Sequence, residues 1–300
     1  MQPNTGTGQR LSALLEQGPL ILGAVVGTEL LKRGVPTPLP LWSAAALRRD
    51  PLAVALVHRD HVRAGARILV ANTFRTDRRT AAAAGLGDVA GDLTRRAVEL
   101  ARNGIAAAEV SVDVLVAGSL APVADCYRPD LVPDTPTLRH EHALRVRDLL
   151  RAGADLALIE TMNTTREAVA SLGACRAGGL PALVSFTLGS DGHLLSGEAL
   201  EDAVAAVLPL EPHALLVNCC PLDAATLGLA TLAKVSPLPR GAYANGRGRP
   251  DDESGWRFDD HGADRATYRA AVRRWIAEGA TLIGGCCGTS PDWLDGLAAS

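Results

Sequence analysis

Near the C-terminus the stretch Thr281 to Ser290 reads TLIGGCCGTS, with two adjacent cysteines between glycines, and a second pair, Cys219-Cys220, follows the apolar run ALLVN. Neighbouring thiols can share one metal ion, close a strained vicinal disulfide, or do neither. Successive side chains of an extended strand point to opposite faces, so Cys286 and Cys287 reach one ion only where the backbone leaves the strand. Gly284, Gly285 and Gly288 ease that departure, because glycine tolerates torsions other residues resist. A third thiolate from the Cys219-Cys220 pair would give three sulfurs around Zn2+ and an open fourth tetrahedral position, the mark of a catalytic centre; sulfur ligation excludes Mg2+. Three thiolates leave the complex negatively charged, a poor activator of water but a good holder of an incoming thiol. A free thiol with a pKa of about 8.5 is mostly protonated at neutral pH, whereas a metal-bound one is deprotonated outright. The chemistry this favours is alkyl transfer to sulfur. The competing reading is a structural zinc site closed by Cys220 or a histidine.

Bulk properties narrow the setting. The 300 residues carry 30 Lys+Arg against 33 Asp+Glu, a net charge of −3, with no basic footprint for nucleic acid. The N-terminal MQPNTGTGQR is polar rather than signal-like, and no apolar run approaches the roughly 20 residues that span a bilayer. The expectation is a soluble cytoplasmic protein with neither nucleic-acid nor membrane partners; self-association is left open. Thiols stay reduced in that compartment, so the six cysteines argue for a metal site or catalysis over a disulfide framework.

Eight short Val/Ile/Leu-rich runs recur: Leu20 to Gly27, Ala66 to Asn72, Val112 to Gly118, Leu156 to Thr161, Pro181 to Thr187, Ala214 to Asn218, Gly241 to Asn245 and Thr281 to Gly285. Their nearly continuous hydrophobicity suits parallel strands covered on both faces. Between them lie charged, Ala- and Leu-rich segments with helical spacing and terminal glycines, and TREA offers a capping box from Thr164 to Glu167. Eight such units predict an α/β fold, one (β/α)8 TIM barrel domain over residues 1–300. The rival open doubly wound sheet lacks a G-x-G-x-x-G turn after the first strand. Tyr127 to Thr137 and Asn245 to Gly262 read as long βα loops that wall the active-site mouth. Thr73, Glu160, Asn218 to Cys220, Asn245 and Gly285 to Gly288 all fall at the carboxyl ends of strands, where a barrel does its chemistry. Cys126 and Cys175 read as ordinary small residues, His140 and His142 as solvated surface, and His58 and His61 as members of an outer helix.

With these residues in place, GGCCGT after the last strand, VNC after the sixth and ADLALIET at the fourth resemble the zinc-dependent homocysteine S-methyltransferase family, whose members are (β/α)8 barrels. GTEL at Gly27, LWSA at Leu41, HRDHVRAGA at His58, NTF at Asn72, DGHLLSGE at Asp191 and RRWIAEGATLIGGCCGT extend the likeness over nearly the whole chain. The resemblance implies Cys219, Cys286 and Cys287 as Zn2+ ligands, with the substrate thiolate as the fourth; Cys220 has no counterpart. It implies methyl transfer from a sulfonium or ammonium donor to homocysteine, giving methionine. Glu160 matches an acid that helps hold the substrate amine. Thr28, Glu29, Asn72 and Thr73 fall in the matching motifs and are expected around the substrate. Trp42 and Phe74 could offer a π-face to a cationic donor, and Asn218 and Asn245 could orient backbone or substrate. One departure stands out: the family's first strand motif commonly begins with an Asp followed by small residues, before GTEL, and here the aligned stretch is Gly23-Ala24-Val25. Two alternatives follow: the same chemistry on a different thiol in a specialised pathway, or a non-catalytic zinc-stabilised binding barrel.

Overall fold

The computed structural model describes residues 5–251 and 253–298; Met1 to Asn4 of the polar N-terminal stretch and Asp252 of the long loop before Gly262 lie outside the described residues. Eight parallel strands close into a barrel: β1 (Leu20–Gly23), β2 (Ala66–Ala71), β3 (Leu115–Leu120), β4 (Leu156–Met162), β5 (Ala182–Phe186), β6 (Ala214–Asn218), β7 (Arg240–Tyr243) and β10 (Leu282–Gly284). The predicted (β/α)8 barrel is therefore the fold. Several boundaries differ from the sequence expectation, and the first strand ends at Gly23 rather than Gly27. The third strand starts at Leu115 and runs on to Leu120, and the seventh ends at Tyr243, leaving Asn245 beyond it. The loop from Asn245 contains an unanticipated antiparallel hairpin, β8 (Arg249–Asp251) with β9 (Gly255–Arg257).

Strand alternation divides the core into two layers. Leu20, Leu22, Ile68, Val70, Leu115, Ala117, Leu156, Leu158, Leu183, Leu216 and Leu282 fill the barrel interior. Their neighbours Ile21, Leu69, Val116, Ala157, Ile159, Val184, Leu215, Val217 and Ile283 face outward and pack under the helices. Continuous apolar runs are what such double coverage requires. The helix Thr5–Glu16 adds Leu11, Leu14 and Leu15 to the inner layer. Its Gly8 lies against Pro181 and His213, which precede β5 and β6, so the helix stoppers the amino end of the barrel. The carboxyl end stays open for chemistry.

Local signals set the outer helices. Asp50, Asp77, Asp134 and Asp264 each accept a hydrogen bond from the backbone N–H three residues on, closing a helix N-terminus. The capping box expected from Thr164 to Glu167 does not form. Thr164 makes no side-chain cap, and Glu198 accepts from the Thr165 N–H instead. Glu167 is drawn into the interior, where it accepts from the Val123 N–H at 2.7 Å and pairs with His142 Nε2 at 3.0 Å. His142 is thus a core residue, not solvated surface; His140 is exposed as expected. His58 and His61 belong to the helix Pro51–Arg63 but face inward. His61 Nε2 bonds the Val25 carbonyl at 3.0 Å, and neither ring nitrogen of His58 has a hydrogen-bond partner among the described residues. Burial holds the His58 pKa down at about 3, so its imidazole is neutral.

Candidate metal and substrate site

At the carboxyl end the inward positions change from apolar to polar. Ser119, Glu160, Ser185, Asn218 and Tyr243 continue the inward phase of β3 to β7 as a hydrogen-bonded layer above the leucines. Ser119 Oγ donates to Glu160 Oε1 and Tyr243 OH to Glu160 Oε2 at 3.1 Å. Desolvation raises the Glu160 pKa to about 7; the bond from Ser119 opposes this shift and the nearby Cys219 adds to it. Asn218 Oδ1 accepts from Ser185 Oγ at 2.7 Å and from the Thr161 N–H at 2.9 Å, while its Nδ2 donates to Thr161 Oγ1 at 2.9 Å. Thr161 needs that grip. At φ 60° it occupies the left-handed region, an outlier for a β-branched residue, costing on the order of 1–3 kcal/mol.

Cys219 follows Asn218 and also turns left-handed, at φ 54°. Cys286 and Cys287 follow β10 after Gly285, where the chain leaves the strand conformation as the glycines forecast. Gly288 has φ 81°, Thr289 Oγ1 donates to the Cys286 carbonyl at 2.7 Å, and Thr28 Oγ1 accepts from the Gly288 N–H at 3.1 Å. Cys286 N–H and Cys287 C=O are tied to Ala244 and Gly246 after β7. The result brings the Sγ atoms of Cys219, Cys286 and Cys287 all within 4.8 Å of one another. Hydrogen bonds from Cys286 and Cys287 pull the Cys219 thiol well below its ordinary pKa, while the two donors are pushed up. Tyr127 OH sits 3.0 Å from Cys219 Sγ. Among the described residues no fourth Cys, His, Asp or Glu joins the group. This donor set fits a thiophilic ion with one position unfilled by protein.

The sulfurs lie at one wall of a cavity of about 560 Å³. Ala24, Val25, Val26, Thr28, Trp42, Ser43, Asn72, Phe74, Arg75, Cys126, Tyr127, Arg128, Glu160 and Trp256 are among its lining residues, and both predicted βα loops contribute. Trp42 and Phe74 pack edge to face with centroids 6.4 Å apart, presenting aromatic surface to the cavity.

Of the residues singled out in the sequence, the structure gathers Cys219, Cys286, Cys287, Glu160, Thr28, Asn72, Trp42 and Phe74 around one cavity. Asn72 is occupied in part by Ser43, accepting from its Oγ at 2.7 Å and donating to its carbonyl at 2.9 Å. Others fall outside. Glu29 is paired with Arg33 at 2.9 Å and accepts from Ser290 Oγ, so it braces the first βα turn. Thr73 donates to the Ser119 carbonyl on the far side of the strand ends. Asn218 is a buried brace, and Asn245 joins the Cys220 carbonyl through its N–H. None of these four lines the cavity.

Cys220 faces the outer core, where burial raises its thiol to about 12. Cys175 is an ordinary core residue as expected, but Cys126 lines the cavity. The sequence reading missed Ser119, Tyr243, Tyr127, Arg75 and Trp256. Ser119 and Tyr243 carry a period-two signal, lying on the inward phase. Tyr127 and Trp256 are scarce aromatics inside the two loops already marked as walls. Arg75 follows NTF with no local signal. No acid from β1 reaches the cavity: a side chain at Gly23 would start 2.9 Å from His61 Cβ and 2.7 Å from Leu69 Cδ2, and Ala24 and Val25 are apolar.

Comparison with known proteins gives a consistent picture. The model of the family described as homocysteine S-methyltransferase matches residues 20–300. A homocysteine S-methyltransferase of Escherichia coli is 35% identical over 305 residues, covering 96% of this chain and 97% of the relative. A selenocysteine methyltransferase of Astragalus bisulcatus is 28% identical over 307 residues, covering 92% of this chain and 90% of the relative. The crystal structure of the metallated form of the homocysteine methyltransferase MmuM from Escherichia coli superposes with a TM-score of 0.83 at 32% identity, covering 95% of this chain and 97% of that one.

Proposed function

The chain belongs to the homocysteine S-methyltransferase family, and from that premise we propose that it is a zinc-dependent enzyme moving a methyl group from a sulfonium or ammonium donor to the thiol of homocysteine. The observation carrying this reading is the three-thiol cluster with no fourth protein ligand, set at the wall of a cavity large enough for two small reactants. A structural zinc site is ordinarily closed by four protein ligands. Metallation of the crystallised Escherichia coli relative supports the same reading.

Cys219, Cys286 and Cys287 would hold the ion. When bound, zinc supplies a Lewis-acidic position that takes a thiol as its thiolate at neutral pH. The protein's own groups do the rest. Thr28 and Thr289 fix the turn that carries Cys286 and Cys287, and Asn218 and Thr161 fix the turn that carries Cys219. Tyr127 OH, 3.0 Å from Cys219 Sγ, would donate to the ligating thiolate and temper its negative charge. Glu160, once ionised, offers the acceptor's ammonium a carboxylate already oriented by Ser119 and Tyr243. Trp42 and Phe74 give a cationic donor an aromatic wall, and displacement at its methyl carbon needs no general base on that side.

A second acceptor reading has its own observation. With no acid from β1 at the cavity, an ammonium held by Glu160 would lack a second carboxylate from the first strand, so a different thiol or a selenol is the alternative acceptor. The test is zinc-loaded protein mixed with a panel of thiols, selenols and methyl donors, with products read by mass spectrometry. Methylated homocysteine at ordinary affinity supports the first reading, turnover of another acceptor alone supports the second, and no methyl transfer in any pairing contradicts both.

A further inference from the structure

Five charged residues line the cavity: Arg75, Asp125, Arg128, Glu160 and Asp251. Four are engaged. Asp125 Oδ1 accepts from the Tyr127 N–H, Arg128 pairs with Asp130, Glu160 is bonded by Ser119 and Tyr243, and Asp251 pairs with Arg257. Arg75 makes no hydrogen bond or ion pair among the described residues, and its Nε is buried without a partner. A guanidinium is charged at every working pH and offers a planar fork of donors, so leaving it unpaired at a partly dry wall is costly until an anion arrives. Arg75 lines the same cavity as Cys126 and the three clustered sulfurs.

We propose that Arg75 is a specificity-determining residue that binds the carboxylate of an amino-acid reactant, acceptor or donor, by a charge-assisted and bidentate contact. The proposal rests on the methyl-transfer reading and names the substrate class within it. A carboxylate suits the site better than a phosphate. One unpaired guanidinium matches a monoanion, whereas a dianion would also face Asp125, Glu160 and Asp251. Glu160, once ionised, and Arg75 together give the cavity an anion and a cation for the two ends of a zwitterion. That pairing separates amino-acid thiols and sulfoniums from simple ones.

The test uses Arg75→Gln and Arg75→Lys in the zinc-loaded full chain. Acceptors are homocysteine and its carboxylate-free analogue aminopropanethiol; donors are S-methylmethionine and its decarboxylated analogue. Arg75→Gln is expected to raise KM for one carboxylate-bearing reactant about ten- to a hundredfold with kcat held within about threefold. KM for that reactant's carboxylate-free analogue should move less than about twofold, with partial recovery in Arg75→Lys. The arm in which the effect falls identifies acceptor or donor. Equal losses on both members of each pair, or no change in either arm, overturn the proposal. Calorimetric binding of homocysteine and S-methylmethionine is read alongside, independent of turnover. Carboxylate-dependent binding lost in Arg75→Gln, with no methyl transfer by the unaltered protein, would uphold Arg75 and overturn the methyl-transfer reading. Unaltered binding together with normal turnover would do the reverse.

Discussion

Replacing Glu160 by Gln tests whether this carboxylate serves the acceptor's amine. Its pKa is raised from 4.5 to about 7, mainly by burial, so the ionised fraction climbs from about one tenth at pH 6 to about nine tenths at pH 8. If only the ionised form binds an ammonium, KM for homocysteine should fall about tenfold across that range after correction for the thiol's own titration. The correction comes from mercaptobutyrate, the same thiol acid without the amine. In Glu160→Gln the ratio of the two KM values should be flat with pH, and at pH 8 homocysteine should bind about ten- to a hundredfold more weakly than to the unaltered protein.

Stability should move the other way. Between pH 4.5 and about 7 the folded state binds a proton that the unfolded chain has released, so the buried carboxyl loses stability as pH rises. That penalty reaches on the order of 3 kcal/mol above pH 7. Gln removes it but cannot accept from both Ser119 and Tyr243, at a cost of about 1 kcal/mol. The variant should therefore be about 2 kcal/mol more stable at pH 8 by urea unfolding, and about 1 kcal/mol less stable near pH 4. A KM ratio that ignores pH in the unaltered protein, or homocysteine binding untouched by the substitution, would refute the role given to Glu160.

Two further outcomes are expected at His58 and Gly255. His58 has a folded pKa of about 3 against an ordinary 6.5, so its neutral form contributes fully above pH 6.5 and stability is lost as pH falls. The loss is about 2 kcal/mol by pH 5. His58→Leu should flatten that acid sensitivity in thermal melts at pH 8 and pH 5, whereas an equal fall in Tm at both pH values would contradict it. Gly255 sits at φ 77° with Trp42 Nε1 2.6 Å from where a Cβ would lie. Gly255→Ala should displace the indole, shifting Trp fluorescence and raising donor KM several-fold, on the order of 1 kcal/mol; unchanged fluorescence and KM would show that Trp42 is not held by the hairpin.

The barrel was legible because parallel strands buried on both faces must be apolar throughout, and eight such runs separated by amphipathic helices leave few other closures. The turn at Cys286-Cys287 was legible for a similar reason: glycines flank it. The matching turn at Cys219 was not, since its left-handed backbone is imposed by β7 and the Asn218-Thr161 bracing rather than by a local glycine. Motif position led to Glu160 and Thr28, which line the cavity, and to Glu29 and Thr73, which do not, because one residue along a strand end reverses the side chain's face and one along a helix start turns it by about 100°. Tertiary partners likewise overrode the capping box, Val123 and His142 claiming Glu167. His142 read as surface because a polar residue's burial depends on partners distant in sequence.

The central claim is that three thiols close around one zinc ion and leave a place for the acceptor's sulfur. X-ray absorption at the zinc edge on reduced, zinc-loaded protein measures this directly, before and after homocysteine. The account predicts one zinc per chain with three sulfurs at about 2.3 Å, rising to four when homocysteine is added. Protein that binds no zinc, or a coordination shell complete without the thiol and unchanged by it, would contradict it.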